Sequence, residues 1–171
     1  MHDIRPFLSQ LFSNPGTLLY IGARSDAHSW LDELAISGNL ISVLEIWPAN
    51  IIGLIGHPAI VDLVQGDVRF ASEIFNEAKF DYVFYWHGPE HLAIDEIEPT
   101  LQMLEGMTGK LIALACSFGV YPQGEHLGNK YEAHQSTLYP EFFVSLGYEV
   151  ETDGKPDEAG SEIVAWKVIG G

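Results

Sequence analysis

The sequence predicts an α/β fold. The expected form is a doubly wound, mostly parallel sheet of seven strands with helices on both faces and a C-terminal antiparallel β-hairpin. Three observations lead there. Short apolar runs alternate with stretches whose apolar residues recur at three and four positions, the alternation that builds parallel sheets. Most of the apolar runs end in glycine or acidic residues, as strands feeding turns do. After Pro140 the alternation stops, and two strand-like runs flank the turn-rich "DGKPDEAG".

Composition sets the limits. The 171 residues suit one domain, taken as 1–171. With 47% hydrophobic and 19% charged residues the chain is of the globular class. Cys116 is its one cysteine, which excludes an internal disulfide and a thiolate-rich zinc site. The opening "MHDIRPFLSQLF" lacks a basic region before a long apolar core, so no secretory signal and a cytoplasmic location are expected. No apolar run is long enough to span a membrane. Lys and Arg number 8 against 24 Asp and Glu, a net charge of −16. That field repels nucleic acid and anionic membranes and suits a cationic or zwitterionic ligand.

The elements follow in order. "TLLYIG" (17–22) is a first strand closed by glycine. "SDAHSWLDELAISG" offers Ser25 and Asp26 as N-caps, Leu31, Leu34 and Ala35 as an apolar face, and Gly38 as a stop. "LISVLEI" (40–46) is a second strand, and Pro48 opens the next helix. "AIVDLVQGD" (59–67) is a third strand ending in a turn. Residues 69–79 are helical by spacing, with Phe70, Ile74 and Ala78 on one stripe. "FDYVFYW" (80–86) is the fourth strand. Ile94, Ile97, Leu101 and Leu104 predict a helix running to about Glu105, kinked or divided at Pro99. "GKLIALACS" (109–117) is the fifth strand. Residues 118–137 show no period, and an unstructured stretch of that length is usually a lid or binding loop. "PEFFVSLG" (140–147) is a short helix, and "YEVET" and "SEIVAWKVI" form the hairpin.

In such sheets ligands bind beyond the carboxyl ends of the strands, where strand order reverses. Glu45 ends the second strand, 23 positions after Gly22, a spacing at which a carboxylate commonly accepts hydrogen bonds from ribose hydroxyls. It reads equally as a surface glutamate. The first turn, "GARSD", has one glycine and carries Asp26, which disfavours a pyrophosphate and leaves room for a nucleoside without phosphates. Asp67 reads either as an acceptor for an adenine amino group or as the N-cap of the following helix.

A glycine turn after strand one, an acid ending strand two, an acid after strand three and the terminal hairpin resemble class I S-adenosylmethionine-dependent methyltransferases over nearly the whole chain. More narrowly, "VLEIWPANIIGL", "VQGDVR", "WHGPEHL" and "YPQGEHLGNKYEAHQSTLYPEFFVSLGYEV" are similar to a group of small bacterial methyltransferase-like proteins of unassigned substrate. The resemblance implies a Rossmann-like fold, S-adenosylmethionine as cofactor, and transfer to a small-molecule or glycan acceptor. It places Gly22 beside the methionine part, Glu45 and Ile46 at the ribose, and Asp67 and Val68 at the adenine. Trp86 and His87 then line the face where the methyl group moves. The family's first turn usually carries further glycines. Here Arg24 stands in that turn, either pairing with the cofactor carboxylate or obstructing the pocket. A methyltransferase fold kept as a non-catalytic binding or assembly module is the alternative.

The cluster "WHGPEHL" matches H-x-x-E-H, a zinc spacing that needs both histidines on one continuous helix. Pro89 pushes Gly88 out of the helical region, so His87 precedes any helix, and no metal is expected. An acid–base or substrate-contact role suits His87 and, less directly, His91, because histidine titrates near working pH. Glu90 falls in a first helical turn, where a carboxylate suits the dipole. From the long loop, Tyr131, Glu132 and His134 are the candidate substrate contacts. The edges of the hairpin leave pairing into a homodimer open.

Overall fold

The computed structural model describes residues 14–24 and 28–170. The Ser25 and Asp26 caps and the N-terminal stretch read for a leader lie outside the described residues. The strands are β1 (Thr17–Ile21), β2 (Leu40–Glu45), β3 (Ile60–Gln65), β4 (Phe80–Trp86), β5 (Thr108–Ser117), β6 (Glu149–Asp153) and β7 (Glu162–Val168). They form one sheet in the order β3-β2-β1-β4-β5-β7-β6. β3, β2, β1, β4 and β5 pair in parallel, while β7 pairs antiparallel with β5 and β6. The sheet class, the strand count and the hairpin are those expected from the sequence.

The apolar runs are continuous because both faces of the sheet are covered. Helices α1 (His28–Ile36) and α2 (Pro48–Leu54) cover one face, where Leu31, Leu34 and Leu54 meet Leu18, Tyr20, Val43, Phe84 and Trp86. Helices α3 (Ala71–Ile74), α4 (Ile94–Met107) and α5 (Pro140–Ser145) cover the other, where Ala71, Ile97, Leu101, Leu104 and Phe143 meet Leu19, Ile21, Val83 and Tyr85. The chain changes face after β3, so the strand order reverses between β1 and β4. That reversal opens a crevice at their carboxyl ends.

Some boundaries differ from expectation. The helix expected over 69–79 is a 3-10 turn (Val68–Phe70) followed by the four residues of α3. Asn76 and Glu77 take left-handed φ values of 50° and 59° and end it. α4 runs on through Pro99 without a break, leaving the Asp95 carbonyl without its helical donor. The loop 118–137 is organised by bridges between Gly119 and Leu138 and between His126 and Asn129, and by a 3-10 turn at Lys130–Glu132. Of the hairpin only β6 lies at an edge, and its Glu149, Glu151 and Asp153 oppose pairing with a second copy. Among the described residues no helix is long and apolar enough to cross a membrane.

Candidate functional site

A cleft of about 1330 Å³ lies at the carboxyl ends of the parallel strands. Every candidate named from the sequence lines it: Gly22, Arg24, Glu45, Ile46, Asp67, Val68, Trp86, His87, His91, Tyr131, Glu132 and His134. Parallel pairing explains the convergence, because Ile21 is level with Leu44 and Tyr85, and Glu45 with Gln65.

The first wall is the β1 turn. Gly22 has φ +77°, a conformation that favours glycine. Its N–H donates to the Leu44 carbonyl at 2.9 Å. A Cβ built there would have only the Trp86 carbonyl oxygen near it, at 3.8 Å, so the turn leaves the cleft open. Arg24 also lines the cleft. Its guanidinium reaches across to Glu132, with Nη1 3.9 Å from Oε2, and ties the first turn to the long loop.

Glu45 is 4% exposed, so the surface reading does not hold. The Trp47 N–H donates to its Oε1 at 2.6 Å. Burial pushes its carboxyl up to about 7, against the Trp47 and Asn50 hydrogen bonds and with help from the Glu132 charge. A carboxylate offers about four lone-pair sites, so capacity remains for further donors. Ile46 follows it on the same wall.

Asp67 is the cap that the alternative reading described. Its Oδ1 accepts from the Arg69 N–H at 3.0 Å, and the Arg69 guanidinium donates to both oxygens, at 2.6 Å from Nη2 to Oδ2. Arg69 also donates to Glu96 Oε1 at 2.6 Å. The Arg69 hydrogen bonds hold the Asp67 carboxyl below its usual range. An adenine here would meet the backbone of Asp67 and Val68 and the edge of the Arg69 pair, because the carboxylate is already engaged.

The opposite wall is the end of β4. Trp86 stacks on Phe84 at 5.0 Å and 11°, and lies 4.8 Å from Trp30. It is 8% exposed, a core residue that also lines the cleft. His87 adopts φ +48°, a strained position for a side chain. Gly88 follows because a Cβ there would lie 1.7 Å from the Tyr85 ring. This turn swings the His87 ring between two carboxylates: Nδ1 lies 3.2 Å from Glu90 Oε1 and Nε2 lies 3.0 Å from Glu162 Oε1. Burial works against charge on the ring, but the bonds to Glu162 and Glu90 outweigh it and raise His87 to about 10. Two carboxylates beside the two ring nitrogens favour the protonated ring, which can give up a proton more readily than it takes one.

Three of the groups found here, Glu90, Ser117 and Glu162, were not among the site residues expected from the sequence. Glu90 sits in the 3-10 turn Pro89–His91, as expected, and is buried, and its Oε1 also accepts from the Ser117 N–H at 3.1 Å. Burial would raise its carboxyl, but the His87 bond and charge overcome this and hold it below the usual range. Ser117 ends β5, and Glu162 starts β7 directly opposite it. Only the antiparallel register brings Glu162, 75 residues away, to His87. No local sequence signal reveals that.

The long loop closes over these walls. Tyr131 meets Trp47 edge-on at 6.3 Å. Glu132 is held by Gln123, which donates to its carbonyl, and by Asn129. The His91 and His134 rings meet edge to face, with centroids 5.0 Å apart. Burial lowers His134 below its ordinary value.

No family model matches the sequence, and no curated protein matches it either. Solved structures do share its shape. The DhpI complex with SAH is 14% identical, with 96% of this chain and 81% of that chain covered and a TM-score of 0.69. A SAM-dependent methyltransferase from Archaeoglobus fulgidus is 17% identical, with 96% and 91% covered and a TM-score of 0.66. Magnesium protoporphyrin IX methyltransferase from Synechocystis, with bound SAH, is 11% identical, with 98% and 80% covered and a TM-score of 0.67. The chain therefore has the class I S-adenosylmethionine-dependent methyltransferase-like fold.

Proposed function

We propose that this chain is an S-adenosylmethionine-dependent methyltransferase acting on a small-molecule or glycan-type acceptor. The observation that carries the reading is the buried, oriented carboxylate of Glu45 at the end of β2, inside a cleft at the switch point of this fold. Its remaining acceptor capacity suits the two hydroxyls of a ribose. The open turn at Gly22 and the size of the cleft fit the cofactor as well. The cleft is larger than the usual pocket for one drug-sized ligand, which leaves space for an acceptor.

The cofactor, when bound, supplies an electrophilic methyl group on a positively charged sulfur. The chain's residues bind and align. Glu45 and Ile46 hold the ribose, the Asp67–Val68 backbone flanks the adenine, and Gly22 lets the methionine part approach. Trp86 and His87 bound the transfer face. His87 is held there between the Glu90 and Glu162 carboxylates. Tyr131, Glu132 and His134 contact the acceptor from the loop. Holding the reactants in line is the main contribution, because displacement at carbon depends on alignment. His91 stands behind His87 as the second candidate catalytic group. The reading keeps a cytoplasmic location and no nucleic-acid partner, in line with the acidic charge.

The non-catalytic alternative calls for a blocked pocket, whereas the Arg24 guanidinium is drawn toward Glu132 on the long loop. Crystals soaked in S-adenosylmethionine test the choice. Density running from Gly22 past Glu45 to Val68 is expected. An empty cleft with Arg24 swung into it would support the non-catalytic module.

A further inference from the structure

The absence of metal expected from the sequence rested on the broken helix of "HGPEH". The structure brings a different trio together. A carboxylate oxygen of Glu90, a ring nitrogen of His91 and a ring nitrogen of His134 all lie within 4.8 Å of one another. His134 comes from the long loop, 43 positions after His91, so no local motif shows the set.

Three features mark the trio as a built ligand set. Glu90 is 1% exposed, and among the described residues its Oε2 has no hydrogen-bond partner. That arrangement is costly unless something else meets the oxygen. Both histidines are also oriented from behind. His91 Nδ1 lies 3.3 Å from the Ala133 carbonyl oxygen, and His134 Nδ1 lies 2.7 Å from that of Tyr121. A carbonyl oxygen can only accept, so each Nδ1 carries a proton, and in the neutral ring, the form that binds a metal, Nε2 presents its lone pair. Backbone carbonyls fix metal-binding histidines in this way. The two segments are also tied together. The Gln135 and Ser136 N–H groups both donate to the Glu90 carbonyl, at 2.8 and 3.2 Å, and Gln135 Nε2 donates to the His91 carbonyl.

We infer that Glu90, His91 and His134 form a binding site for a divalent transition-metal ion of the zinc type, with its open positions facing the cleft. Two imidazoles and one carboxylate, leaving a vacancy for a further ligand, are the donor set of catalytic rather than structural sites. Ligands at about 2.0–2.2 Å around a tetrahedral ion lie roughly 3.4 Å apart, so the three side chains need to close by about an ångström. The Glu90 Oε1 stays with His87 and Ser117, and the second oxygen serves the ion. All three ligands line the cleft, where an oxygen of a small molecule can take a vacant position.

Metal binding is testable without the cofactor, so its failure and the failure of the methyltransferase reading are distinguishable. Chelator-treated full-length chain is titrated calorimetrically with Zn2+, and with Co2+ as a spectroscopic probe. One equivalent is expected, with the intense visible absorption of a low-coordinate Co2+ site. His91→Ala and His134→Ala should each weaken Zn2+ binding by at least roughly 100-fold, beyond the roughly 10–100-fold typical of losing an outer partner. The exposed loop residue His126 is the control, and His126→Ala should bind as the unaltered chain does. Glu90→Gln should behave like the histidine variants; if it fails to fold, those two decide. No binding by the unaltered chain, or equal binding by both histidine variants, overturns the assignment.

Discussion

Replacing Glu45 by glutamine separates stability from binding, with opposite signs. Glu45 is 4% exposed, and its carboxyl is raised from an ordinary 4.5 to about 7. A difference of that size corresponds to about 3 kcal/mol at most. The folded state holds a proton that the unfolded chain releases between those two pH values. Stability therefore falls as pH rises through that window, and the full penalty applies above pH 7. Glutamine removes it. The variant's carbonyl can still accept the Trp47 N–H, but its buried amide needs an acceptor, which offsets part of the gain. Urea denaturation should find Glu45→Gln more stable by about 1–3 kcal/mol at pH 8 and within about 1 kcal/mol of the unaltered chain near pH 4.5. The same variant should bind S-adenosylhomocysteine about 10- to 100-fold more weakly at pH 8, as expected when a charge-assisted hydrogen bond is lost. A stability difference that does not change with pH would refute the buried-charge argument.

Further outcomes follow from single contacts. Asp67→Ala removes the cap on the Val68–Phe70 turn and its hold on Arg69. Denaturation should then show a loss of about 1–2 kcal/mol. Gly88→Ala drives a methyl group into the Tyr85 ring, and a loss of about 1–3 kcal/mol should appear as a lowered Tm. His87→Ala leaves the buried Glu90 carboxylate without its counter-charge. That should cost about 2–4 kcal/mol by urea denaturation, even though the substitution removes a bulky side chain from a left-handed position. Arg24→Ala breaks the partly exposed contact with Glu132, so stability should change by less than about 1 kcal/mol.

The fold was legible because its signals are local and agree with one another. Continuous apolar strands, the stop at Gly38 and the helix start at Pro48 each specify one element, and right-handed crossovers leave few ways to join them. The short α3 was missed because Phe70, Ile74 and Ala78 keep helical spacing even though the chain leaves the helix at Asn76. The cleft residues could be placed because a parallel sheet puts every strand end on one side. Their partners could not. Glu162 reaches His87 through the β5–β7 register, Arg69 captures Asp67 by its side-chain geometry, and His134 meets His91 only because the loop folds back on Glu90. Such long-range pairings decide protonation and ligand capacity, and one-dimensional spacing does not encode them.

Whether this cleft binds S-adenosylmethionine through Glu45 is tested most directly by calorimetric titration of the full-length chain with S-adenosylhomocysteine at pH 8. Saturable binding of one equivalent is expected, strongly weakened in Glu45→Ala. No heat and no thermal shift with the unaltered chain, or binding unaffected by Glu45→Ala, would contradict it.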